Sequence, residues 1–346
     1  MTPLWKKFCP LGFLILLVLS GFACRSQEND LHRRTRFLMG TLVEITAVDR
    51  DPERARQAIG RAFDEIGRLE KLLSPRLPES EVSRLNAAAG RDFIDVSSEV
   101  MAVVQRGIYW GKRSGGAMDI TIGPVMDLWQ FDEGRHIVPD AGALAGAVKR
   151  VGYRDIQIEG SRIRLARPHM ALQLGAIAKG YAVDRAVAVL EKSGIQNALI
   201  NAGGDLKAIG RRDKNRAWRI GLQHPRNPDG ILASFDLSGQ AVATSGDYQK
   251  YYMLGNIRYH HILNPADGMP ARGTISSTVI AGSVMDADAL ATAVFVLGPE
   301  KGIALIDSLA GVEGMTVSQS GSLRYSRNFQ SQPHFLAKDF KQDLSH

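Results

Sequence analysis

The chain has 346 residues, 45% hydrophobic and 23% charged, with 35 glycines and two cysteines. This is the composition of a folded globular body, and it excludes a low-complexity or disulfide-built chain. The formal charge of +7 falls to +5 without Lys6 and Lys7, and no basic run is interleaved with aromatics, so nucleic acid is not an expected partner.

The N-terminus carries a processing signal. Lys6 and Lys7 form its positive region, and Leu11–Leu19 is an apolar stretch too short to span a bilayer. Gly21-Phe22-Ala23-Cys24 follows and resembles a bacterial lipobox, in which the cysteine becomes the lipidated first residue. An ordinary secretory leader is the alternative. Cys9 and Cys24 are the only cysteines, so the mature body has neither disulfide nor thiol chemistry. Residues 1–23 are therefore read as a lipoprotein signal and 24–35 as a polar tether. The body is read as 36–326 and the polar C-terminal tail, partly disordered, as 327–346.

Alternation over Thr41–Val48 predicts a strand. Asp51 then caps a long helix with Pro52 in its first turn, along a stripe of Ala55, Ile59, Ala62, Phe63, Ile66, Leu69 and Leu73. Further helices are predicted over Glu99–Lys112, Ile177–Lys192, Met285–Leu297 and Glu300–Leu309. Strands are expected at Arg162–Ala166, Ala198–Asn201, Trp218–Leu222, Leu232–Leu237, Ala241–Thr244, Arg258–Leu263 and Ser277–Ala281. Strands come in runs between helices, which argues for an α+β fold, with mixed, largely antiparallel sheets and packed helices in a single compact body.

The chain lacks the Gly-rich fingerprints of dinucleotide and P-loop folds, any H-E-x-x-H, and any G-x-S-x-G elbow. It has instead five glycine turns that each carry a polar residue. They are Met39-Gly40-Thr41, Gly115 to Asp119, Gly175 to Gly180, Asn201 to Asp205 and Ser245 to Tyr248. Glycine lets backbone amides approach an anion, and Lys179 at a helix start would add positive charge, unless it is a solvated surface lysine. Asp288 and Thr292 lie one helical turn apart. A carboxylate and a hydroxyl so placed suit a magnesium ion shared with a phosphate; the plainer reading is an acid that complements the helix dipole. His260 and His261 point to opposite faces if they end a strand, so at most one enters a site as a general base.

Taken together and in this order, these motifs resemble the ApbE family of FAD:protein FMN transferases. The resemblance also includes Ser80 to Asn86, Gly116 to Pro124, Leu174 to Asp184, Trp218 to Gly221, His261 to Pro265 and Asp288 to Thr292. It implies an ApbE-like, T-fold-like architecture and a periplasm-facing lipoprotein, lipidated at Cys24 and anchored to the inner membrane. The implied enzyme moves FMN from FAD to a Thr or Ser hydroxyl of an acceptor flavoprotein, a subunit of a membrane redox complex or a related electron-transfer protein, and releases AMP. Met39, Ala117, Met118, Asp119, Gln173, Lys179 and Leu263 match flavin-nucleotide positions. Ala176, through its carbonyl, and Asp288 and Thr292 match Mg²⁺ positions, and His261 matches the essential histidine. Three departures stand out: Arg76 replaces a frequent aromatic, Gln173 a frequent Asp, and Ala291 an acid found in some members. A metal-dependent FAD pyrophosphatase and a non-catalytic flavin-binding lipoprotein are the alternatives.

Overall fold

The computed structural model describes residues 30–342 apart from 130, 132–135, 328, 332, 338 and 339. Cys24 and the leader lie outside the described residues. A nine-stranded sheet runs in the order β1 (Leu31–Leu38), β2 (Thr41–Val48), β6 (Ala198–Ala202), β7 (Asp205–Ile209), β10 (Ala241–Gly246), β13 (Thr274–Ala281), β14 (Glu313–Ser318), β15 (Ser322–Tyr325) and β17 (Lys341–Gln342). All its pairings are antiparallel except the last. Three small sheets complete the β structure. One joins β3 (Ile94–Asp95), β5 (Arg162–Leu165) and β4 (Ile156–Glu159). A second joins β16 (His334–Phe335), β9 (Ile231–Leu237) and β8 (Trp218–Gln223), and the third is the hairpin β11 (Tyr251–Leu254) with β12 (Ile257–His260).

The helices are α1 (Pro52–Leu73), α2 (Glu81–Ala87), α3 (Ser98–Arg113), α4 (Gly123–Trp129), α5 (Ala141–Val148), α6 (Ala178–Lys192), α7 (Val284–Leu297) and α8 (Pro299–Asp307). Alternation along the large sheet feeds two cores. Val43, Ile45, Ala198, Ile200, Ala243 and Val279 pack under α1, α6 and α7. Leu206, Ala208, Val242 and Ile280 pack against β8 and β9 on the other face. Covered on both sides, β13 is buried along its whole length.

The α1 stripe is buried as its spacing predicts, and Asp51 accepts from the N–H groups of Glu53 and Arg54. α7 differs from a one-faced amphipathic helix: it is buried nearly all round, wedged against β10, β13 and α6.

Both ends of the body extend further than the sequence suggests. Leu31–Leu38, assigned largely to the tether, is an edge strand paired residue for residue with β2. Its charged side chains do not favour a strand. The Met39-Gly40 turn, with φ of 55° and 71°, selects the hairpin by its type I′ geometry. At the other end, within the expected tail, β16 pairs with β9, and Phe335 and Phe340 pack on the second core.

Candidate active site

All five glycine turns meet at one cavity of about 2290 Å³. That exceeds the roughly 300–1,000 Å³ of a pocket for a small ligand and leaves room for a dinucleotide beside a second reactant. Met39, Ala117, Met118, Asp119, Gln173, Ala176, Lys179, His261, Leu263, Asp288 and Thr292 all border it, as does Arg76.

Two tight turns form one wall. β2 pairs with β6 through Val43 and Ala202, so the Met39-Gly40 turn lies beside the Gly203-Gly204 turn at the same end of the sheet. Gly203 and Gly204 have φ of 65° and 102°, and a side chain at Gly203 would collide with Thr41 Oγ1. Asn201 Oδ1 closes the turn by accepting from the Gly204 N–H at 2.9 Å. β7 then begins at Asp205, whose carboxylate is delivered to the cavity floor.

The N-termini of α6 and α7 form the floor. Ile177, at the start of α6, gives no side-chain cap. Asp288 Oδ2 accepts from the Gly180 N–H at 3.2 Å instead. This contact needs the glycine, because a Cβ at position 180 would strike the Val284 carbonyl. Thr292 sits one turn further along α7, with Oγ1 3.3 Å from Ser245 Oγ.

Lys179 is not a solvated surface lysine. Its Nζ lies 2.7 Å from Asp205 Oδ2 and 3.5 Å from Asp288 Oδ2, and it donates to the Gly175 carbonyl at 3.1 Å. Burial opposes its charge, but the two carboxylates outweigh that and raise its pKa. Asp205 and Asp288 are 3% and 4% exposed. Burial raises both acids; Asp288 reaches about 7, with Asp205 adding to the rise and Lys179 opposing it.

The histidine pair divides as expected. His260 is buried edge-on against Phe295, with Nε2 2.9 Å from the Ala271 carbonyl. His261 faces the cavity, with Nδ1 3.3 Å from the Lys250 carbonyl. Burial pushes its pKa down to about 4, helped by His260 and opposed by that carbonyl, so the imidazole is neutral at ordinary pH.

Other predicted residues act less directly. The Asp119 carboxylate is consumed by Thr121 and by the Tyr153 N–H. Gln173 turns back to accept from the Gly175 N–H at 3.3 Å. Ala291 does not border the cavity; its carbonyl accepts from Ser277 Oγ at 2.6 Å. Asp205 and Ser245 lie inside glycine turns conspicuous in the sequence, yet only their contacts with Lys179 and Thr292 single them out.

Residues 39–316 match the ApbE family. The chain belongs to that family. It is 30% identical to the FAD:protein FMN transferase of Treponema pallidum (strain Nichols), over 91% of this chain and 92% of that protein. The same name is carried by a Vibrio cholerae protein 31% identical over 85% of this chain and 88% of its own length. Among solved structures, the ApbE protein of Thermotoga maritima superposes with a TM-score of 0.80 at 30% identity, covering 86% of this chain and 98% of that one. The Pseudomonas stutzeri flavinyl transferase ApbE gives 0.77 at 33% identity, over 86% and 95%. The α+β ApbE architecture expected from the motifs is therefore the fold of this chain.

The residues present fit a magnesium ion. The Asp288 carboxylate and the Thr292 hydroxyl, one turn apart on α7, and Ala176 with its main-chain carbonyl border one cavity and offer only hard oxygen donors, the kind magnesium takes beside water and phosphate. Two buried carboxylates also share a single lysine, which leaves the floor short of positive charge.

Proposed function

We propose that this protein is an Mg²⁺-dependent FAD:protein FMN transferase. It moves FMN from FAD to a Thr or Ser hydroxyl of an acceptor flavoprotein through a phosphoester bond and releases AMP. The observation that carries this reading is the convergence of His261, Lys179, Asp288 and Thr292 on one cavity large enough for FAD and an entering side chain.

The Lys250 carbonyl can only accept, so Nδ1 of His261 carries the proton and Nε2 is the basic nitrogen. His261 takes the proton of the acceptor hydroxyl. The new bond forms from that oxygen to the FMN phosphorus, and the bond to the bridging oxygen breaks, so the electron pair leaves with AMP. Lys179 supplies fixed positive charge beside the diphosphate. Asp288, Thr292 and the Ala176 carbonyl would hold the magnesium ion, whose charge stabilises phosphoryl oxygens. The glycine turns bring backbone N–H groups close to the nucleotide.

Among the described residues no helix is long and apolar enough to cross a membrane. The proposal places the enzyme at the inner membrane on a lipid carried by Cys24, facing the periplasm, where its acceptor is a subunit of a membrane redox complex or a related electron-transfer protein.

Incubation with FAD, Mg²⁺ and a candidate acceptor tests the reading. A flavin-fluorescent acceptor band on a denaturing gel is expected. Free FMN and AMP with no labelled band would make the protein a pyrophosphatase, and FAD bound without cleavage would make it a flavin carrier.

A further inference from the structure

Asp205 has the geometry of a residue that acts through another. It follows the Gly203-Gly204 turn rigidly, is 3% exposed, and its Oδ2 receives no aligned hydrogen bond despite the 2.7 Å approach of Lys179 Nζ. An ammonium group has three donors. Here one goes to the Gly175 carbonyl at 3.1 Å, while the ammonium pairs by charge with Asp205 at 2.7 Å and, more distantly, with Asp288 at 3.5 Å.

We propose that Asp205 is the positioning residue for Lys179: it holds the ammonium off Asp288, so that the Asp288 carboxylate stays open to a divalent cation. The inference rests on the reading of Asp288 and Thr292 as cation ligands. With both carboxylates present, one lysine is shared by two acids, and when both are ionised the buried floor carries a net negative charge. Without Asp205 the same lysine neutralises Asp288 in a one-to-one pair and competes with any incoming cation. With Asp288 given to a cation, Asp205 and Gly175 would still hold the lysine by two contacts, leaving donor capacity for the diphosphate. Asp205 therefore sets cation affinity without itself being a ligand.

The test is Mn²⁺ binding by electron paramagnetic resonance, without FAD, so that transfer activity plays no part. Asp205→Asn is expected to bind Mn²⁺ at least about tenfold more weakly, the effect of removing one close counter-charge. Lys179→Met is expected to bind more tightly than the wild type. The double variant Asp205→Asn/Lys179→Met is expected to return to near wild-type affinity. Wild-type binding by Asp205→Asn overturns the proposal, and so does a double variant as weak as Asp205→Asn, which would make Asp205 a ligand. If Asp205→Asn does not fold, Lys179→Met decides, because weaker binding there overturns the idea. Failure of the underlying cation reading looks different: the wild type and Asp288→Ala would then bind Mn²⁺ equally.

Discussion

Asp184 of α6 and Asp288 of α7 cap each other's helices. Asp184 accepts from the Val284 and Met285 N–H groups, both at 3.0 Å, at the start of α7. Asp288 returns a cap to Gly180 in the first turn of α6. Each satisfies backbone donors that a helix start leaves unpaired. The proposed cation ligand is thus also a structural clasp, and mutation at position 288 reads out twice.

Asp288→Ala should lose the cap and the ligand together. Loss of a side-chain cap costs about 0.5–2 kcal/mol. Asp288→Asn keeps an oxygen for the Gly180 N–H and should melt at or above the wild-type temperature while still failing in transfer. Both variants should label an acceptor with FMN far more slowly than Lys179→Ala, because they remove a ligand and not only a counter-charge. A fully active Asp288→Ala protein would refute the metal assignment.

Stability should depend on pH through the same residue. The Asp288 pKa rises from an ordinary 3.8 to about 7 in the folded chain. Between these values the folded state holds a proton that the unfolded state has released. Stability therefore falls as pH rises through that window. Without divalent cation, wild type and Asp288→Asn should melt alike at pH 5, and the wild type should melt lower at pH 8. Added Mg²⁺ should narrow the gap at pH 8, since it binds the ionised form. Thermal melts across pH, taken as the difference between the two proteins, separate Asp288 from the histidines.

How far the sequence reveals this site depends on the kind of residue. α1 is legible to its cap because one amphipathic stripe and one Asp-Pro start decide it. Asp288 and Thr292 are legible as neighbours because residues four apart share a helix face. The charged strand β1 is not, because its pairing is chosen by a turn and by β2 rather than by its own side chains. Asp205 is visible only as the end of a glycine turn, since its partner Lys179 is 26 residues away and reaches it through the packing of α6 on β7.

Gly180→Ala offers a test whose sign is informative. In an open helix the change would stabilise by about 1 kcal/mol. Here the new Cβ meets the Val284 carbonyl and the Met285 Cα, so α6 and α7 must part. Overpacking of this kind costs about 1–3 kcal/mol. The variant should unfold at lower urea concentration, and it should bind Mn²⁺ more weakly because the Gly180 N–H no longer meets Asp288. A gain in stability would mean that the two helices do not pack as closely as described.

His261 yields the last prediction. Replacing a general base with alanine typically lowers the rate by about 10²–10⁴, and His261→Ala should do so with FAD binding retained. The pH profile is the sharper measurement. An ordinary imidazole would impose an acid limb near pH 6.5, but burial beside His260 holds this one at about 4. Protonation of His261 should therefore not slow transfer at any pH above about 5, one unit above that value. If the wild-type rate falls below pH 6.5 and the fall disappears in His261→Ala, the imidazole is solvated and the neutral base assigned to it is wrong. If the profile is flat there, the base is already deprotonated at Nε2 when the acceptor hydroxyl arrives, with its remaining proton on Nδ1 toward the Lys250 carbonyl.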